Sequence, residues 1–462
     1  MIDGPAAHDW LSRTVFVPWV IHGPWTRKRR ELRVSLAEAR AGFRTWERAN
    51  SEVRKQWIIH ELRALVRWAG EQVPYYRRSF REIGFDPKVD FSLEEYRKLP
   101  LLDKETVRQS GPELIAEGYS PKDMVAGATG GSTGVPVRFW LDERSRAWSD
   151  VSAEWAFGRV GFRSGNRLSL VWGAHVEPQM HPTLRARVLN WLAHQQPNDC
   201  FRLSNDILDQ MHSRLTAYKP EFLRCYASAL TLLAQRLRER RIRPDYPKRG
   251  IITGAEKLDA VQRETVEAVF RAPLFESYGS RDCGMMAIQL SHSDPRLFVA
   301  GANVLLEPLG DPDLVFGSEV VVTILHRPGM PFLRYRIGDY ARFPSVDPEQ
   351  PVEFVEEVTG RVLDHIHLPG GRLVHSTQFP HFLKDFDIKE YQVVQEIGGE
   401  VRVLLVGGPN LTSENLTHIE RIFNINLSGV PLTILNVMSI DRSAAGKLRP
   451  VISRFRDACV ER

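Results

Sequence analysis

The stretch ATGGSTGVP, Ala128 to Pro136, gathers three glycines and three hydroxyl side chains into nine residues. Backbone N–H groups around Gly130, Gly131 and Gly134, with the hydroxyls of Thr129, Ser132 and Thr133, can wrap a polyphosphate without a lysine. A Walker-type loop needs G-x-x-x-x-G-K-[ST], and here Val135 and Pro136 follow Gly134, so the phosphate-reaching lysine is missing. A dinucleotide fingerprint fails on spacing and on the lack of a following helix. Gly130 to Gly134 do satisfy G-x-S-x-G, which would make Ser132 the nucleophile of a hydrolase elbow. An elbow joins a strand to a helix, whereas Pro136 and the β-rich VRFWL follow here. The bland alternative is a plain glycine-rich hairpin.

The elements around the loop read as α/β. Ile58, Leu62, Leu65 and Ala69 recur at helical spacing, which predicts a helix over 52–72 ended by Val73-Pro74. Further helices are expected from Ser228 (SALTLLAQRLRER) and from Asp259 (DAVQRETVEAVF). Strands are expected at VPVRFWL, at Arg167–Gly173, at Glu319–Leu325 and at Val401–Gly407, where β-branched and apolar residues run together. Alternation of the two kinds makes the fold class α/β. No internal repeat or low-complexity tract is present.

Bulk properties set the frame. A chain of 462 residues, 43% hydrophobic, is too long for one core and too apolar for disorder, so two or three domains are expected. The formal charge of +5, much of it in the tract Arg27 to Arg30, does not call for a nucleic-acid partner. Cys200, Cys225, Cys283 and Cys459 form no C-x-x-C pair, which fits ordinary thiols in a reducing cytoplasm. No apolar run reaches the ~20 residues that span a bilayer, and no signal peptide is evident. Trp10, Trp19, Trp25 and Trp46 around the basic tract could rest on a lipid surface; packing on the protein itself is the stronger expectation.

The loop does not stand alone. Thr129 to Pro136 resembles the phosphate loop [ST]-[SG]-G-[ST]-T-G-x-P of the adenylate-forming superfamily, the acyl-CoA synthetases and their relatives. TGAEKL from Thr253 resembles its acyl-pocket turn, ESYGSRD from Glu276 its tyrosine motif, and RYRIGD from Arg334 its Y-R-x-G-D motif. GRVLDHI from Gly360 is similar to its hinge at Asp364, and GKLRP from Gly446 to the loop of its catalytic lysine. Within the superfamily, VPYYRRSF from Val73, LPLLDKETVR from Leu99 and GRVLDHIHLPGGRLVHSTQF from Gly360 resemble the phenylacetate-CoA ligase branch and its capsule-biosynthesis relatives.

The resemblance implies a large N-terminal ATP- and acyl-binding domain, 1–360, and a small mobile α+β domain, 361–462. It implies that Thr129, Gly130, Gly131, Ser132, Thr133 and Gly134 hold phosphates, and that Glu256, Tyr278, Gly279, Ser280, Arg281, Asp339 and Arg361 line the nucleotide site. Tyr278 would stack on adenine, Asp339 would take the ribose hydroxyls with help from Arg361, and Lys447 would be catalytic. Asp282 stands where the family has a glutamate that binds Mg²⁺, one methylene shorter. Segments like those around Trp155, Tyr226 to Ser228 and Gly254 would wall the acyl pocket, whose aromatic lining suits an aryl or other flat acid. The implied cofactors are ATP, Mg²⁺ and coenzyme A, and the implied partners a small carboxylic acid and an acyl acceptor; a homodimer stays open. An amine or hydroxyl acceptor, on a sugar or polymer, is the alternative to coenzyme A. Departures from the pattern are Val137 in place of a lysine, Arg281 in place of a hydroxyl residue, and Cys283 and His292 as the remnant of a metal-ligand set. A non-catalytic nucleotide binder and a serine hydrolase are the readings from other classes.

Overall fold

The computed structural model describes residues 27–128, 137–172, 183–200, 203–313, 317–345, 347–361, 365–369, 373–375, 379–383, 385–427, 429–442 and 448–455. The chain enters through α1 (Arg27–Arg48), α2 (Ser51–Gln72) and α3 (Pro74–Glu82). Helix α2 begins where the Asn50 side chain accepts the Val53 N–H at 2.9 Å, and ends as Val73 turns extended ahead of Pro74. Its buried face is Ile58, Leu62, Leu65, Val66 and Ala69, the expected stripe with one addition. Trp46 at the end of α1 is buried in the same core, so at this position the packed expectation holds. Short α4 (Leu93–Tyr96) and α5 (Lys104–Gln109) follow, each capped by a side chain, Ser92 and Asp103.

A hairpin comes next, β1 (Val125–Ala128) against β2 (Arg138–Leu141), with Ala128 opposite Arg138. Then α6 (Glu143–Arg159) leads into β3 (Leu168–Trp172), α7 (Leu184–Leu192), β4 (Gln195–Asp199), α8 (Asn205–Tyr218), β5 (Phe222–Cys225), α9 (Ala227–Glu239), β6 (Gly250–Gly254), α10 (Ala260–Phe270) and β7 (Leu274–Ser280). The strands β4, β3, β5, β6 and β7 lie side by side in parallel; β8 (Gly284–Ser291), β9 (Asp294–Val299) and β13 (Phe354–Val355) extend the sheet antiparallel. Alternation along the strands serves both faces. Leu223 and Cys225 join the core under α8, α9 and α10, while Phe222 joins the core under α6. A second, antiparallel sheet runs β10 (Val304–Asp313), β11 (Gly317–Ile324), β12 (Tyr335–Arg342), β14 (Glu357–Arg361) and packs on α1 to α3.

Beyond Arg361 a separate core forms, from Ile366 to Val451. It holds the ribbon β15 (His365–His367) and β16 (Leu373–His375), the sheet of β17 (Ile388–Gln395), β18 (Val401–Gly407), β19 (Leu432–Asn436) and β20 (Val451–Ser453), and the helices α11 (Phe379–Leu383) and α12 (Ser413–Asn426). Among the described residues no helix is long and apolar enough to cross a membrane.

Candidate active site

In a parallel sheet the side chains that meet a ligand collect at the carboxyl ends of the strands. Here β5 ends at Cys225, just before Tyr226, β6 at Gly254, just before Ala255 and Glu256, and β7 at Ser280, just before Arg281 and Asp282, and the second sheet brings Asp339 to Tyr278 of β7. The Tyr278 hydroxyl donates to Asp339 Oδ2 at 3.0 Å, joining two motifs 61 residues apart. Asp339 also sits opposite Arg361 in the β12–β14 pairing. Tyr278 and Asp339 are each 7% exposed, so the bond is shielded from water and the carboxylate is held in one orientation. The structure thus brings Tyr278, Asp339 and the Arg361 backbone together.

Asp282 lies just beyond the end of β7. Its Oδ1 accepts the Ser280 hydroxyl at 2.5 Å and its Oδ2 accepts the Tyr335 hydroxyl at 2.9 Å. Burial and the adjacent Asp282 charge push the Tyr335 phenol well up, so it stays protonated and keeps donating. Each carboxylate oxygen retains a free lone pair. No group of three His, Cys, Asp or Glu that could hold a metal occurs among the described residues. A single hard carboxylate beside a polyphosphate still fits Mg²⁺, which commonly takes one or two protein carboxylates with phosphates and waters. Cys283 and His292 stand at opposite ends of β8, so they are not the pair of a common site. Burial pushes the Cys283 thiol far up, which removes it as a nucleophile at neutral pH.

Gly279 and Gly338 have steric reasons. The β7–β8 register slips between Tyr278 and Gly279, and a Cβ at Gly279 would lie 2.7 Å from the Gly284 carbonyl oxygen. Gly338 has φ +83°, and a Cβ there would stand 3.3 Å from Lys104 Nζ.

The loop residues Thr129, Gly130, Gly131, Ser132, Thr133 and Gly134 lie outside the described residues, as do Lys447, the hinge residue Asp364 and the Arg361 side chain. What flanks the loop is informative. It is the tip of the β1–β2 hairpin, with nine residues between paired Ala128 and Arg138, where two to five are usual. A strand, not a helix, follows, which excludes the nucleophile elbow. Arg281 Nη1 donates to the Ala128 carbonyl at 3.3 Å, tying the root of the loop to the tyrosine motif. Val137 is fully buried, so this departure from the family pattern lies in the core.

Glu256 is bonded within the chain on both carboxylate oxygens. It follows Ala255, a non-glycine residue at φ +66°, an arrangement that costs roughly 1–3 kcal/mol. Its Oε2 accepts the Ser228 N–H in the first turn of α9 at 3.0 Å, and its Oε1 accepts the Leu448 N–H at 3.1 Å. Trp155 needs correction as a pocket wall. Its indole packs on Phe43 at 5.6 Å and donates to Glu47 of α1, so it faces the N-terminal helices. The aromatic pair at the strand ends is instead Trp172 and Tyr226, ring centroids 4.2 Å apart, with the Arg224 guanidinium 4.8 Å over Trp172.

Two cations are not legible as site residues from the sequence. Lys104 donates to the Ile337 carbonyl at 2.5 Å, bracing β12 two residues before Asp339. Arg327 is 1% exposed, lies 3.8 Å over the Phe332 ring and 5.4 Å from Phe139 of β2, and donates to the Asp282 carbonyl oxygen. It stitches together the hairpin, the tyrosine motif and the approach to β12. The sequence signal, DK after LPLL and HRPGMPF, carries no spacing that distinguishes such cations from surface ones.

No family model matches the chain. It is similar to Protein CapK of Staphylococcus aureus, 20% identical over 329 residues, which are 69% of this chain and 71% of that protein. It is similar to a phenylacetate-coenzyme A ligase of Pseudomonas putida, 23% identical over 337 residues, 70% and 74% of the two chains. In fold it resembles a 2-hydroxyisobutyryl-CoA ligase crystallised in its postadenylation state with R3-HIB-AMP, at TM-score 0.67 and 18% identity, covering 89% of this chain and 91% of that one. Against the same ligase in its thioesterification state the TM-score is 0.57, at 17% identity and covering 88% and 90% of the two chains. The architecture is therefore the α/β, two-domain one of adenylate-forming CoA ligases.

Proposed function

We propose that this chain, which has the fold of the adenylate-forming CoA ligases and phenylacetate-CoA ligases and CapK among its sequence relatives, is an AMP-forming acid ligase that works in two half-reactions. In the first, a carboxylate oxygen attacks the α-phosphorus of ATP; the new P–O bond forms as the bridging bond to the β-phosphate breaks, and pyrophosphate leaves. In the second, the sulfur of coenzyme A attacks the acyl carbon, a C–S bond replaces the C–O bond, and AMP leaves. The observation that carries the reading is the meeting of Tyr278, Asp282 and Asp339 at one strand edge, with the segment after Lys447 bonded to Glu256 beside it.

The roles divide by chemistry. Thr129 to Gly134 offer N–H and hydroxyl donors to the β- and γ-phosphates. The Tyr278 ring packs on adenine, and Asp339 with Arg361 takes the ribose hydroxyls. Asp282 would hold Mg²⁺, which supplies neutralisation of phosphate charge. Arg281, at the root of the loop, and Lys447 add positive charge near the α-phosphate, where negative charge develops in the transition state. Residues 361–462 act as the small domain, which turns about Asp364 once the adenylate has formed and withdraws Lys447. The Trp172–Tyr226 pair favours a flat or aryl acid. The second reading, which the resemblance to the capsule-biosynthesis relatives allows, is transfer to an amine or hydroxyl.

The test is carboxylate-dependent exchange of pyrophosphate into ATP over a panel of aryl, fatty and sugar acids, with Lys447→Ala alongside, then product analysis with and without coenzyme A. Exchange with one acid, lost in Lys447→Ala, with an acyl-CoA product, is expected. ATP binding without exchange for every acid would refute ligase activity on these classes, and exchange without a thioester product would move the acceptor to an amine or hydroxyl.

A further inference from the structure

The small domain meets the large one through a compact set of bonds, and the large-domain partners gather on α9 and the turn after β6. Arg442 Nη1 donates to the Ser228 hydroxyl at 3.2 Å while another of its N–H groups bonds Glu390 of β17. Glu256 receives Ser228 N–H on one oxygen and Leu448 N–H on the other. These groups are withdrawn from water: Arg442 and Glu390 side chains are 6% and 12% exposed. Burial raises the Glu390 carboxyl, and Arg442 opposes that by supplying the counter-charge. A carboxylate at the N-terminal turn of a 13-residue helix is also favoured by the helix dipole, which helps to hold Glu256 in place.

The Leu448 N–H belongs to the peptide unit that begins at Lys447. The bond from Glu256 therefore anchors Leu448, the residue next in sequence to Lys447. A misplacement of about 1 Å at a reacting group costs on the order of 100-fold in rate. Glu256 is half-buried, and its two oxygens accept from backbone donors of the two domains, which is an arrangement suited to docking.

We propose that Glu256 is a positioning residue that anchors Leu448, next in sequence to Lys447, beside the N-terminus of α9 for adenylation, and that its bond to Leu448 must break before acyl transfer. This rests on Lys447 serving adenylation, as proposed above, and the test separates the two ideas. Glu256→Ala and Glu256→Gln would be compared with the wild type by amide hydrogen exchange of peptides spanning 440–450. They would also be compared by pyrophosphate exchange with phenylacetate or whichever panel acid is active, and by thioester formation from the matching acyl-adenylate and coenzyme A. Expected for Glu256→Ala are exchange at the Leu448 amide faster by on the order of tenfold, and adenylation slower by roughly 10- to 100-fold with ATP KM nearly unchanged. Acyl transfer is expected to stay within about twofold of the wild type. Glu256→Gln, which keeps an acceptor oxygen, should recover part of the loss. Unchanged exchange at Leu448 in the Ala variant overturns the proposal whatever the activity. An equal fall in both half-reactions, unrelieved by Gln, overturns it in favour of a merely structural role. Should the wild type adenylate no acid, the ligase reading fails, and the amide-exchange arm alone decides whether Glu256 anchors Leu448.

Discussion

A phenol donating to a buried carboxylate gives the site its first quantitative handle. The Tyr278–Asp339 bond is 3.0 Å long and shielded, and a hydrogen bond to a charged group is worth about 1.5–3 kcal/mol. Tyr278→Phe removes the donor while keeping the ring. It should weaken ATP binding roughly tenfold through the looser carboxylate, measured as ATP KM in the exchange assay or by calorimetry. Asp339→Asn keeps an acceptor for the phenol, so its melting temperature should change little while ATP KM still rises about tenfold. At Asp282, replacement by Asn removes the charge and one acceptor of the Ser280–Tyr335 clamp. The Mg²⁺ concentration for half-maximal exchange should then rise on the order of tenfold, read from a metal titration at fixed ATP. Residues of this kind are legible in the sequence, because each lies in a short motif whose types and order carry the chemistry. Arg327 and Lys104 are not, because they act through carbonyl oxygens, Asp282 O and Ile337 O, which any sequence supplies.

Elements fare differently from residues. Helix α2 and the strands β11 and β18 follow from periodicity and from runs of β-branched residues, since burial on one face or both writes itself into the pattern. Which face meets which neighbour does not. The motif order puts Trp155 near the acyl pocket, but α6 turns it toward Phe43 and Glu47, and only the packing of α1 on α6 decides that. The slip between β7 and β8 is equally invisible in the sequence, though Gly279 marks it. Gly279→Ala would drive a methyl against the Gly284 carbonyl oxygen, 2.7 Å away. A cost of roughly 1–3 kcal/mol is expected, seen in denaturant unfolding, along with weaker ATP binding as Tyr278 shifts. Helix α9, the platform for the small domain, is itself clamped by Asp209 of α8, which accepts from Arg236 at 3.0 and 2.7 Å and pairs with Arg240. The hydrogen bond from Arg236 first, then that from Arg240, hold the Asp209 carboxyl at about 2, below its ordinary 3.8. A depressed carboxyl stabilises the fold above its unfolded value and loses that contribution as pH falls. The melting temperature of Asp209→Asn should thus lie below that of the wild type at pH 7, and the gap should close between about pH 4 and pH 2.

At the scale of the whole molecule, docking of the small domain depends on bonds of unequal weight. Lys389 of β17 meets Glu239 at the last residue of α9, 3.0 Å apart, but the two side chains are 24% and 36% exposed. An ion pair that open to water contributes about 0–1 kcal/mol and weakens with salt. Arg442 and Glu390, both withdrawn from solvent, cannot lose one partner so cheaply, because the remaining charge would be buried alone. The geometry therefore ranks the contacts: the Lys389–Glu239 pair trims the docking equilibrium, while Arg442, Glu390 and Glu256 set it. Charge reversal tests the ranking without touching the nucleotide site. Lys389→Glu and Glu239→Lys should each slow adenylation by no more than about fivefold, the effect should shrink at high salt, and the double reversal should restore the rate. Acyl transfer from a supplied adenylate should be unaffected or slightly faster, since that step needs the small domain released. Loss of more than about tenfold from either single reversal, unrepaired in the double variant, would mean that the outer pair carries the docking and that the buried cluster is merely part of the small domain's own packing.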